Sequence, residues 1–189
     1  MNSLRFLLIL VCFVTALATG GRTAAAQVRD EREVKAVWLY RFGQHVVWPD
    51  GAAPVADGTF VIGVLGPNPF GVHLDKLVGK EIRKQKIVVR YFAAAKDCQP
   101  CHVLFISPLA GEAAETTPQA RLAAVRGLVH KHTLIVCDGP GLAGAGAMIN
   151  YAIDANGFIN LEINRRAVQA AQLQIGAALL NLQIVKFVP

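Results

Sequence analysis

Thr59-Phe60-Val61-Ile62-Gly63-Val64-Leu65, closed by Gly66-Pro67, is a short apolar run with a turn signal at its end. A strand exposed on one face shows a polar residue at every second position, so this uninterrupted run reads as a strand covered on both faces. Ile87-Val88-Val89-Arg90-Tyr91-Phe92, Val103-Leu104-Phe105-Ile106 and Thr133-Leu134-Ile135-Val136-Cys137 repeat the pattern, and helical stretches are expected over 70–78 and 119–129 between them. The alternation predicts a single α/β domain with a mostly parallel sheet flanked by helices.

Outward from this block, 148–153 and 158–163 flank Asn156-Gly157, a pair suited to the positive φ angles of a tight turn. The sheet is expected to end in this antiparallel hairpin. Asn164 then caps a last helix, whose apolar stripe is Val168, Ala171, Ile175, Ala178, Leu179 and Leu182. Leu173 and Leu180 fall off the stripe and are assigned to a partner face. On the amino-terminal side, Ala36, Leu39, Phe42, Gly43 and Val46 recur at helical spacing, predicting an amphipathic helix over 29–48 that Pro49 stops.

The chain has 189 residues, 53% hydrophobic and 17% charged, with a mean hydropathy of +0.40. That excludes a disordered tail and supplies one core. Arg5, the apolar run over 6–18 and the small residues ending at Ala24-Ala25-Ala26 read as a secretory signal peptide over 1–26, leaving 27–189 as the mature domain. The formal charge of +6 is too diffuse to point to nucleic acid. Lys80, Arg83, Lys84 and Lys86 form its densest stretch, read as a solvated turn with a partner or headgroup contact as the alternative.

Cys98-Gln99-Pro100-Cys101-His102 carries the most chemistry. In an exported protein C-x-x-C-H can attach c-type haem, with His102 as iron ligand. Against this, His102 runs directly into a strand, and the α/β pattern is unlike a helical haem domain. A thioredoxin-like role is disfavoured because the motif opens a strand where a thiolate-stabilising helix would be needed. Cys101 begins one strand and Cys137 ends a parallel one, too far apart to bond, so the expected disulfide is Cys98 to Cys101. Gly139-Pro140-Gly141-Leu142-Ala143-Gly144 matches the dinucleotide fingerprint in letters only, because a proline removes an amide and a strand follows it. His130 and His132 have no carboxylate companion for a metal. No catalytic, metal or cofactor-binding residue is assigned, and no enzyme is predicted.

In order and spacing, these features resemble the YfiR-like family of small exported proteins. The resemblance runs from Val34-Lys35-Ala36-Val37-Trp38-Leu39-Tyr40-Arg41-Phe42 and Val47-Trp48-Pro49 through Phe60–Gly66 and Cys101–Ile106. It continues over Thr133–Val136, Gly146–Asn150 and Phe158–Asn164 to Leu173-Gln174-Ile175 with Leu179-Leu180. It implies a periplasmic, non-catalytic inhibitor that binds the periplasmic domain of an inner-membrane diguanylate cyclase and restrains cyclic-di-GMP signalling and biofilm formation. The resemblance also implies redox-linked disulfides, and self-association into a homodimer is a further option. The characterised type uses two disulfides, whereas the three mature cysteines here allow one. The alternatives are a small-ligand module with its pocket near Gly66, Ser107 and Asp138, and the c-type haem protein.

Overall fold

The strands divide their side chains between two cores. Phe60, Ile62, Val64, Val103, Phe105, Leu134 and Val136 face one apolar cluster, while Val61, Leu65, Leu104, Ile106, Ile135 and Cys137 face another. This is the two-sided burial expected of a parallel sheet with helices on both faces. The computed structural model describes residues 22–189 except 52, 53, 56 and 114, with side chains described from Glu31 onward. Most of the expected leader, residues 1–21, lies outside the described residues.

Helix α1 spans Arg22–His45 and is followed by β1 (Val46–Val47) and β2 (Thr59–Leu65). Next come α2 (Val72–Asp75), β3 (Glu81–Ile82), β4 (Gln85–Phe92), β5 (Val103–Ile106), α3 (Pro118–Ala124) and β6 (Leu134–Asp138). The chain closes with β7 (Ile149–Ile153), β8 (Ile159–Asn164), α4 (Arg165–Ala170), β9 (Gln174–Ile175), α5 (Ala177–Leu180) and β10 (Val185–Val188). The main sheet has eight strands in the order β10-β8-β7-β6-β5-β2-β4-β3. The block from β4 to β7 is parallel, β8 is antiparallel to β7, and β10 runs parallel to β8. The fold is thus the single α/β domain predicted, with its mostly parallel sheet, hairpin and final helical segment.

Helix α1 packs on the first face through Ala36, Leu39 and Phe42, each at most 1% exposed. Gly43 permits the close approach, because a Cβ there would lie 2.4 Å from Ile82 Cδ1 and 2.9 Å from Phe60 Cζ. The helix ends at His45, short of the expected Trp48, since Val46 and Val47 pair antiparallel with Ile175 and Gln174. Helix α3 covers the opposite face with Leu122, joined by Val125 just past its end. Thr117 caps it by accepting the Ala120 amide at 3.2 Å, and the helix stops at Ala124, before the expected 129.

Two further departures concern the ends of the sheet. Lys80 to Lys86 contains a small hairpin, β3 to β4, turned by Arg83 and Lys84 at φ 51° and 66°. The last helix is present after Asn164, whose side chain accepts the Ala167 amide at 2.9 Å, but it comes in two pieces. Gln172 adopts φ 57° and breaks the stripe, β9 joins β1, and the Gly176 amide bonds to the His45 carbonyl at 2.8 Å.

Candidate functional site

The expected partner-face residues collect at the amino end of the sheet, where β2, β4, β5 and β6 begin. The break at Gln172 turns Leu173 inward to 3% exposure, so it belongs to the core and is not the freely exposed side chain expected from the helical spacing. Leu180 packs half-buried against the same core. Together with Ile163, Val168 and Ile175 they line an apolar cleft of about 290 Å³, with Arg165, Gln169 and Gln174 also on its wall. The cleft adjoins β1, since Ile175 pairs with Val46. On the other side of Val46, the Arg83 guanidinium donates to the Val46 carbonyl at 2.6 Å and lies 5.9 Å from the Trp48 ring centre. Lys80 and Lys84 are exposed beside it. Thus the basic turn and the apolar cleft, distant in sequence, become the two flanks of one short strand.

Beneath this surface the amino end is closed by aromatic rings and backbone carbonyls. Trp48 Nε1 donates to the His132 carbonyl at 2.8 Å, and His132 Nδ1 lies 2.7 Å from the Ala171 carbonyl. His102 stacks on Phe60 at 4.5 Å between ring centres and meets Trp48 edge-on at 5.7 Å. Its Nδ1 accepts the Val61 amide at 3.1 Å, and the ring is 2% exposed. Burial pulls its pKa down to about 4. These contacts do not fit haem attachment, because His102 is held inside the core with Nδ1 committed to the backbone and Nε2 enclosed without a partner.

Cys98, Cys101 and Cys137 are free thiols in the structure. Burial raises Cys98 to about 11 and Cys101 to about 12, and it raises Cys137 as well. Cys101 lies just ahead of β5, while Cys137 pairs with Ile106 at the far end of that strand. The five residue steps from Cys101 to Ile106 separate the two by about 16 Å, beyond disulfide reach. Among the described residues no group of three or more His, Cys, Asp or Glu side chains is arranged to hold a metal.

The carboxyl end of the sheet carries the charges. Lys35 Nζ, on α1, lies 2.6 Å from Asp138 Oδ2 and 2.7 Å from Glu31 Oε1. Burial raises the Asp138 pKa and Lys35 opposes the rise. Tyr151, fully buried, donates its hydroxyl to the Lys35 carbonyl at 2.9 Å and so fixes that turn of α1 to β7. A cleft of about 220 Å³ lies over the pair between Phe70 and Leu109. A wider one of about 530 Å³ opens at Gly66, Pro67, Tyr91 and Gly111. In the sequence this ion pair is signalled only by the acidic residue that ends a central apolar strand. None of the described helices is long and apolar enough to cross a membrane.

No curated protein matches the chain. A model of the family described as YfiR/HmsC-like matches residues 32–183, from the middle of α1 to the segment before β10. The match takes in α1 with Lys35, every strand of the parallel block and the Leu173–Leu180 cleft, and the chain belongs to the YfiR/HmsC-like family.

Proposed function

We propose that this protein acts in the periplasm as a non-enzymatic inhibitor, binding the periplasmic domain of an inner-membrane diguanylate cyclase and restraining cyclic-di-GMP output. The family match over 32–183 carries the reading, since it supports a periplasmic regulator of diguanylate cyclase signalling. The docking surface is the amino end, with Lys80, Arg83 and Lys84 supplying charge and the Leu173–Leu180 cleft supplying apolar area. Two adjoining patches of this kind suit a partner with an acidic rim and an apolar anchor. Inhibition is then a population shift, in which the protein binds the inactive cyclase conformation more tightly than the active one. The redox element of the proposal is oxidation of the free Cys98 and Cys101 thiols to a disulfide, which would lock the segment that leads into β5.

The test is the cellular cyclic-di-GMP level in a strain carrying the cognate cyclase, with the gene deleted and then restored. Deletion raises the level, the natural chain lowers it again, and a Lys80→Glu, Lys84→Glu variant of normal abundance does not. An unchanged level on deletion would defeat the proposal. A second reading, small-ligand binding at the carboxyl end, is favoured by the cleft at Gly66 and Gly111.

A further inference from the structure

Two loops part at the carboxyl end of the sheet, between β5 and β2. In the order β6-β5-β2-β4, the chain leaves β2 toward β4 on one side and leaves β5 toward β6 on the other. Loops that turn away from each other leave a crevice between them, and this is where open α/β sheets receive ligands. Pro69 and Phe70 follow β2, Pro108 and Leu109 follow β5, and these residues line the cleft of about 220 Å³. Sites for drug-sized molecules run from about 300 to 1,000 Å³, so the occupant that suits this one is smaller.

Glu31, Lys35 and Asp138 line the same cleft, with the Lys35 ammonium held between the two carboxylates. One cation against two anions leaves this set with a net negative charge. Asp138 gives Lys35 only its Oδ2, and its Oδ1 has no hydrogen-bond partner among the described residues. That oxygen is not sealed inside the fold, because the Asp138 side chain keeps 14% of its surface open and lines the cleft. A carboxylate can accept several hydrogen bonds, and partial burial makes an unfilled acceptor costly. The raised Asp138 pKa has the same origin, a carboxylate held from water with few donors around it. The group cannot readily turn away, since Asp138 ends β6 and the Tyr151 hydroxyl fixes the turn of α1 that carries Lys35. Arg32 also lines the cleft but is exposed, so water screens its charge.

We propose that this cleft binds a small primary ammonium, its N–H groups on Asp138 Oδ1 and its short apolar body against Pro69, Pro108 and Leu109. The ligand's charge brings the set of Glu31, Lys35 and Asp138 to neutrality, and its donors fill the acceptor that Lys35 leaves open. A quaternary ammonium supplies the charge without the donor, and an alcohol supplies the donor without the charge. The site rests on the small-ligand reading of the carboxyl end and is independent of cyclase restraint.

The test titrates the full-length protein at pH 7 with 3-methylbutylamine, followed calorimetrically and by amide NMR shifts. Saturable binding that moves the Leu109 and Gly139 amides is expected, with 3-methylbutan-1-ol and the N,N,N-trimethyl analogue each at least about tenfold weaker. Asp138→Asn removes the charge that receives the ligand and weakens binding by a similar factor. Glu31→Gln, at a half-buried position on α1, weakens it several-fold. Absence of saturable binding, equal affinity for the alcohol or the trimethyl analogue, or unchanged affinity in either variant would overturn the site. If Asp138→Asn fails to fold, discrimination among the three compounds by the natural chain decides. Amine binding that moves only the Gly66 and Gly111 amides would overturn this site and leave the small-ligand reading standing. The cyclic-di-GMP assay reads the restraint separately, so either result stands without the other.

Discussion

The two ends of the sheet solve the same problem, closing the strand termini, with different chemistry. At the amino end the closing groups are neutral rings and backbone carbonyls: Trp48 on His132, His132 on Ala171, and His102 stacked on Phe60. The cations there stay exposed, Arg83 among them with its guanidinium bonded to the Val46 carbonyl. At the carboxyl end buried or nearly buried charges close the fold: Lys35 between Glu31 and Asp138, and Arg121 behind Gly66. Charges held out of water must find opposite charges, whereas stacked rings need only shape. The carboxyl end therefore depends strongly on single charged residues, whereas the amino end depends on the joint fit of several rings.

The largest expected effect breaks the charged end. Lys35→Met leaves two carboxylates without their cation and should lower unfolding free energy by about 3 kcal/mol in urea titration. Arg83→Met, which removes an exposed side chain bonded to a carbonyl, should cost about 1 kcal/mol. Equal losses would erase the proposed difference between the ends.

Acid separates them next. His102 is held near 4 by burial, below its ordinary 6.5, so the unfolded chain takes the proton first as pH falls. Its contribution is complete above about pH 6.5 and drains away between there and pH 4, about 2 kcal/mol being lost by pH 5. Asp138 runs the other way: its pKa is raised, so protonation at low pH relieves a cost that folding carries at neutral pH. Urea midpoints at pH 7 and pH 5 should show the loss in the natural chain and a flatter response in His102→Gln. An identical pH dependence in the variant would remove His102 from the account.

The smallest effect is at the turn. Lys84 sits at φ 66°, where glycine is unstrained, so Lys84→Gly should raise stability by about 0.5 kcal/mol. Under the docking proposal the same variant restrains the cyclase less well. A variant both more stable and fully active would detach this charge from docking.

What was legible in the sequence follows from where the chain obeys local rules. Val103–Ile106 forms the strand read from its apolar run, Asn164 caps the helix after it, and the hairpin brackets Asn156-Gly157. The β3–β4 hairpin was hidden because Arg83 and Lys84 occupy left-handed positions without the glycine or asparagine that advertises them. The break at Gln172 was hidden because the apolar stripe continues through it, and only pairing with β1, remote in sequence, decides against one helix. Arg121 could not be singled out, since on an amphipathic helix a buried arginine and a solvated one are written with the same letter.

The clamp on Lys35 also bears on the order in which the molecule assembles. Its side chain reaches Asp138 across 103 residues, and the Tyr151 hydroxyl reaches its carbonyl across 116. The first anchor needs the chain through β6 and the second the chain through β7, so α1, which meets Phe60 and Ile82 early, gains its polar anchors only after most of the polypeptide has emerged. Such distant closures slow folding, since the entropy of a long loop is lost before its contacts form. A helix near the start of the domain is thereby fixed in its final position by groups near the end of it.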